Sequence, residues 1–280
     1  MVTVRELDAR LGRVRDLMAE SSVKNLFVYD PVNVEYLTGF DSGRVFISDR
    51  DAVLWVRDVY LKINAGGYGR SDYPFEVREF RGGVVKASLG RRRVKRLHMP
   101  DLSVGLLELF KARLGLDIKV CSVLEEARQF KSRYEVDCIR KACVQAMAGM
   151  EKAGEVVGEG VREFDAVAEI EAEIRRCGSV KAPFGSGMLL ASGRHSANIH
   201  ASPRNHRISR GLVIADLGGN HNGYFSDMTR TLTVGKPTVL EGRLLELVED
   251  AELSAIDFIK PGVTGGEVHE FLDEKLGDAG

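Results

Sequence analysis

Apolar residues recur at helical spacing in the first twenty positions. Leu7, Leu11, Val14 and Met18 share one face, which predicts a helix over Val4–Glu20. The apolar run Val23–Tyr29 predicts a short strand, closed by Asp30-Pro31. Arg44–Ser48 and Ala52–Arg57 predict two strands joined by Asp49-Arg50-Asp51, a hairpin. Val94–Met99 predicts a further strand, and Ser103–Leu114 a helix with Ser103 as its N-cap. Strands alternating with helices up to about residue 125 predict a small α/β domain over 1–125.

A second unit is predicted over 131–280. Ser132 and Glu135 form S-x-x-E, a capping box that satisfies exposed amides at a helix start. That helix runs to about Val157, with Val136, Ile139, Cys143, Met147 and Met150 on one face, and Gly158 and Gly160 stop it. Phe164–Cys177 predicts a second helix, with Val167, Ile170 and Ile174 inward and Gly178 as its stop. Pro183–Ser196, rich in glycine and small residues, is expected to be a loop beside a ligand. Leu212–Leu217 predicts a strand, Gly218–Gly223 a turn, and Tyr224–Val234 the returning strand. A helix over Leu240–Ile259 ends at Pro261-Gly262, and Thr264 with Glu267 opens a last one to about Leu276. Helices, hairpin, helices is an α+β order.

A length of 280 residues implies two domains or one large one, and 44% hydrophobic residues suffice for a core. A formal charge of -1, from 40 basic and 41 acidic residues, excludes overall attraction to nucleic acid or anionic membrane. The basic run Arg91–Arg96 is read as a solvated or salt-bridged face, with nucleic-acid binding as the weaker alternative. No run of about 18 apolar residues is present, so no membrane span is expected. The charged first twenty residues lack the apolar core of a signal peptide. Cys121, Cys138, Cys143 and Cys177 form no C-x-x-C pair. They read as free thiols in a reducing compartment, the cytoplasm.

Asp216 is the most informative residue. Apolar Leu212–Ala215 and Leu217 surround it, so its strand is expected to be buried and its carboxylate to need a cation or donor. Asp227 follows eleven residues later on the returning strand. A connection centred on His221-Asn222 sets the two aspartates opposite each other; one centred on Asn222-Gly223 sets them on a diagonal. Either register places both on one face, where like charges repel unless one is protonated or a divalent cation lies between them. Manganese, cobalt or zinc suits such oxygen ligands. The competing reading makes both aspartates local turn caps.

Asp216-Leu217-Gly218, followed after seven residues by Ser226-Asp227-Met228-Thr229-Arg230-Thr231, resembles the hairpin of the pita-bread metallopeptidases, among them prolidases, Xaa-Pro aminopeptidases, methionine aminopeptidases and creatinases. Lys131-Ser132 with Glu135, Ala191-Ser192-Gly193 followed by His200, and Pro261-Gly262 are similar to segments of the prolidase branch. Pro31–Gly39 resembles a motif of the creatinase-type N-terminal domain. The resemblance implies a creatinase-like α/β domain followed by an α+β pita-bread catalytic domain. It implies two divalent metals, Asp216 on one and Asp227 bridging both, with His200 assisting proton transfer. Ala201 stands where the family commonly has glycine, and the bland alternative for His200 is a loop histidine with no catalytic task. His195 and His221 match no family site and are expected to be surface residues; His269-Glu270 is expected to be a partly exposed helical pair. Short peptides with proline after the first residue are the implied substrates, and a homodimer the implied assembly.

The family's other ligands are a histidine in an H-x-x-G-H segment and two later glutamates. No H-x-x-G-H occurs in this sequence. The expectation is a catalytic domain truncated at its C-terminus, weak in metal binding and hydrolysis, with an exposed sheet edge and apolar surface. The alternative function is a non-catalytic pita-bread module that binds peptides or proteins. Creatinase-like chemistry on a small amidino compound stays open.

Overall fold

The computed structural model describes residues 2–57, 72–181 and 187–277. The chain divides into two compact units, Met1–Asp137 and Cys138–Gly280.

The first unit opens with α1, Val4–Glu20, capped by Thr3 and burying the predicted face of Leu7, Leu11, Val14 and Met18. Its sheet contains β1 (Asn25–Val28), β2 (Arg44–Ser48), β3 (Ala52–Val56), β4 (Glu76–Glu79), β5 (Arg96–Met99) and β6 (Asp117–Val120), in the order β4-β3-β2-β1-β5-β6. β2 pairs antiparallel with β1 and β3, and the remaining pairings are parallel. Side chains alternate between two cores. Leu26, Val28, Val45, Ile47, Leu54 and Val56 enter one; Phe27, Phe46, Val53, Trp55, Leu97 and Met99 enter the other. Burial on both faces explains the nearly unbroken apolar runs of β1 to β3.

Among the described residues, four short helices accompany this sheet: α2 (Pro31–Thr38), α3 (Val84–Arg91), α4 (Val104–Leu114) and α5 (Val123–Gln129). The sequence reading had α4 with its Ser103 cap, but not α2, α3, α5, β4 or β6. Asp30-Pro31 ends a strand and also starts α2: Asp30 accepts from the Asn33 amide at 2.8 Å, and proline occupies the first turn. In the basic run, Arg92 pairs with Asp51 and Arg96 with Asp117, each at 2.6 Å.

A buried ionic cluster lies beneath α1. Arg10, 5% exposed, pairs with Glu6 at 2.9 Å and donates to the Tyr36 carbonyl at 2.7 Å, with its guanidinium over the Tyr36 ring. Glu135 approaches Arg10 to 4.0 Å. The predicted capping box is present: the Ser132 amide donates to Glu135 at 2.8 Å, and the Glu135 amide donates to Ser132 Oγ at 3.2 Å. It opens α6, Arg133–Val156.

The second unit adds α7 (Glu163–Arg176), β7 (Leu189–Ser192), one 3₁₀ turn (Gly193–Ala197), β8 (Gly211–Leu217), β9 (Asn220–His221), β10 (Tyr224–Phe225), β11 (Met228–Val234), α8 (Val239–Phe258) and α9 (Gly265–Gly277). The sheet runs β11-β8-β7, and Ala146, Ala153, Ile170, Ile174, Leu190, Val213, Ala215 and Leu217 form its core. The expected loop over Pro183–Ser196 is corrected here: Leu189–Ser192 is a strand antiparallel to β8, and 182–186 lies outside the described residues. Glycines and small residues disguised four residues that pair with β8. α8 and α9 pack through stacked rings of Phe258 and Phe271 at 4.6 Å. Val239, Leu240, Leu244, Val248, Leu253 and Ile256 of α8 are each half or more exposed. All four cysteines are free. Among the described residues, no helix is long and apolar enough to cross a membrane.

Candidate metal centre

The hairpin around Asn222-Gly223 decides where the two aspartates stand. His221 pairs with Tyr224 and Asn220 with Phe225, leaving Asn222 and Gly223 as the connection. Both have positive φ, 49° and 85°. That is the two-residue turn whose twist matches the flanking strands. The same register continues through β8 and β11, where Leu217 faces Met228 and Asp216 faces Thr229. Asp216 and Asp227 are therefore on the diagonal, the second of the two registers open from sequence.

The returning segment is not one strand from Tyr224 to Val234, and the turn is not six residues long. Pairing breaks between β9–β10 and β8–β11, at Gly218-Gly219 and Ser226-Asp227. The Ser226 amide donates to the Gly219 carbonyl at 3.1 Å, but the Gly219 amide donates to Ser226 Oγ at 3.0 Å. The hydroxyl takes the place of a ladder carbonyl and itself donates to the Ala142 carbonyl of α6 at 2.8 Å. A Cβ on Gly219 would lie 2.5 Å from that same carbonyl, so this approach requires glycine.

β8 alternates rather than burying both faces. Val213, Ala215 and Leu217 are buried; Leu212, Ile214 and Asp216 are half-buried. The expectation of a fully buried strand is thus corrected: Leu212 and Ile214 belong to the aspartate's own, partly open face. Burial pushes the Asp216 carboxyl above its ordinary value, and the Asp227 charge and a shared side-chain hydrogen bond add to this. Thr229 and the charge of His200 act in the opposite direction. Thr229 Oγ1 donates to Asp216 Oδ1 at 2.9 Å. The structure thus brings Asp216 and Asp227 into contact, with His200 in electrostatic reach. Among the described residues, no arginine forms a salt bridge with either aspartate.

His200 is exposed, on the loop after the 3₁₀ turn. His195, expected to be a surface residue, also ties its loop together. Its Nε2 donates to the Ser202 carbonyl at 3.0 Å and braces the loop across His200. His221 is half-buried in β9; burial, then Lys141, lowers its pKa. His269 meets Asp273 at 3.4 Å within α9 and stays exposed, as expected of a helical surface residue. Sequence reasoning missed Thr229, Ser226 and Gly219. Thr229 was accessible in principle, because the Asn222-Gly223 register puts it directly opposite Asp216.

The two carboxylates offer the oxygen donors that hard and borderline divalent cations prefer, and the Asp227 charge adds to the burial that raises the Asp216 carboxyl. In that respect the residues fit a metal. Among the described residues, no group of three or more His, Cys, Asp or Glu assembles as a metal site.

Comparison with known proteins places the chain in a family. Residues 137–280 match the family model of Metallopeptidase family M24, and residues 10–129 that of the Creatinase/Prolidase N-terminal domain. The Xaa-Pro dipeptidase of Pyrococcus furiosus is 30% identical over 97% of this chain and 78% of its own length. That of Pyrococcus horikoshii is 28% identical, over 98% of this chain and 78% of its own length. Among solved structures, the prolidase from Pyrococcus horikoshii OT3 is similar with a TM-score of 0.86 and 26% identity, over 97% of this chain and 78% of that one. The prolidase from Pyrococcus furiosus gives 0.83 and 29%, over 95% and 78%.

Proposed function

The chain belongs to metallopeptidase family M24, and from that premise we propose that it is a divalent-metal hydrolase that cleaves the bond before proline in short peptides. The observation that carries the reading is the diagonal placement of Asp216 and Asp227 across the hairpin, within the electrostatic reach of His200. The names of the relatives supply the substrate class: proline-containing dipeptides.

In this reading Asp216 and Asp227 would hold the divalent cation through their carboxylates. A bound divalent metal acidifies water and polarises a carbonyl. Thr229 keeps Asp216 oriented through its hydroxyl. His200 gives and takes a proton at its imidazole, within the field of Asp216. The free thiols suit the cytoplasm, and a homodimer is the assembly that belongs to this proposal.

A non-catalytic peptide-binding module is the second reading. Two carboxylates without a third ligand among the described residues favour it. Isothermal titration with manganese, paired with hydrolysis of a Gly-Pro-type dipeptide, separates the two. Metal-dependent hydrolysis that Asp227→Ala abolishes supports the peptidase. Peptide binding that ignores manganese, with no hydrolysis, overturns it.

A further inference from the structure

We propose that Glu163, at the start of α7, is the positioning residue that sets the loop bearing His200. This rests on the reading of His200 as the proton-transfer residue.

Glu163 is 1% exposed, a place where a carboxylate must be met by donors. Among the described residues, its donors come from the two ends of one loop. Oε1 accepts from the Ser192 amide at 3.0 Å and the Ser192 hydroxyl at 2.6 Å. Oε2 accepts from the Arg204 amide at 2.8 Å. Ser192 is the last residue of β7, the strand in which Leu189 faces Asp216. Arg204 lies four residues beyond His200. One buried carboxylate therefore closes the loop at its exit from the sheet and at its return. Between those points His195 holds the Ser202 carbonyl at 3.0 Å, and the Ala201 amide donates to the Asn198 carbonyl at 3.2 Å.

A glutamate in the first turn of a helix commonly satisfies its own helix's amides. Here the carboxylate reaches away from α7, whose N-cap residue, Arg162, makes no side-chain cap. The backbone reinforces the same junction. The Glu163 amide donates to the His206 carbonyl at 3.0 Å, the Gly160 amide to the Ile208 carbonyl and the Ile208 amide to the Val161 carbonyl, the last two at 2.8 Å. The start of α7 is thereby a fixed platform for 192–208, and through Glu163 one side chain of that platform bonds both ends of the loop.

The test is amide hydrogen exchange on the full chain, read segment by segment, together with the His200 ring resonances. Glu163→Gln turns one acceptor into a donor that faces an amide or the serine. It should speed exchange across 193–206 by about tenfold or more, while 211–217 changes by less than about twofold. The His200 ring signals should move toward random-coil positions. Glu163→Asp, with the charge kept but withdrawn by one methylene, should fall between. Ser192→Ala removes only the hydroxyl and decides the matter if Glu163→Gln does not fold; it should give the same segmental pattern at about threefold. Unchanged exchange over 193–206, or equal acceleration in 163–176 and 211–217, overturns the proposal. His200→Ala should leave loop protection intact, so loss of hydrolysis there with normal exchange isolates the catalytic reading from the anchoring one.

Discussion

Asp216 and Thr229 stand directly opposite each other across β8 and β11, joined by a hydroxyl-to-carboxylate bond of 2.9 Å. The threonine stabilises the ionised form, while burial and Asp227 oppose it, and the net effect on Asp216 is upward. In the unfolded chain the group titrates near its ordinary 3.8. The folded protein holds the proton to higher pH, so this group's contribution to stability is full below the unfolded value and is lost as pH rises through the folded one. Asp216 is only half-buried, and solvent screening keeps the effect small. Metal-free Asp216→Asn should melt roughly 1–3 °C higher than the parent near pH 7 and equally near pH 3. Calorimetry at both pH values checks this. Thr229→Val should move the Asp216 carboxyl further upward, read by carboxyl carbon resonances. A downward move would contradict the assigned role of the hydroxyl.

Gly219 lies against α6 with no room for a methyl group, 2.5 Å from the Ala142 carbonyl and 2.6 Å from Gln145 Cβ. Backbone cannot yield as a flexible side chain does. Gly219→Ala should cost about 1–3 kcal/mol in urea unfolding.

Gly223 sits at φ 85°, the second residue of the two-residue turn. Gly223→Val should cost about 1 kcal/mol or more, because a β-branched residue avoids that conformation. Asn222→Gly at φ 49° should be tolerated within about 0.5 kcal/mol. A pair of equal costs in denaturant titration would contradict the turn geometry.

Arg10 is buried between Glu6, the Tyr36 carbonyl and Glu135. Removing the cation leaves buried carboxylates uncompensated, so Arg10→Ala should destabilise by about 3–5 kcal/mol. The double variant Arg10→Met with Glu135→Gln should recover part of that loss. Equal stability of Arg10→Ala and the parent would show the cluster to be solvated.

The legible parts of this chain were those encoded locally. The Ser132/Glu135 and Thr264/Glu267 boxes form as their spacing predicts. The Asn222-Gly223 turn, with positive φ at both residues, accompanies one of the two registers open from sequence. β4 escaped notice because Glu76-Val77-Arg78-Glu79 is polar and only partly buried. The role of Glu163 was invisible for a different reason: its partners lie 29 and 41 residues away, and nothing in a helix-start glutamate announces them. His195 likewise acts through a carbonyl seven residues on, which no residue type specifies.

The aliphatic side chains that α8 turns to water have a consequence for handling rather than for chemistry. Excluded solutes such as sulfate strengthen the drive to hide apolar surface. Light scattering of this chain should accordingly climb with ammonium sulfate well before secondary structure changes, and Leu240→Lys with Leu244→Glu should shift that onset to higher salt.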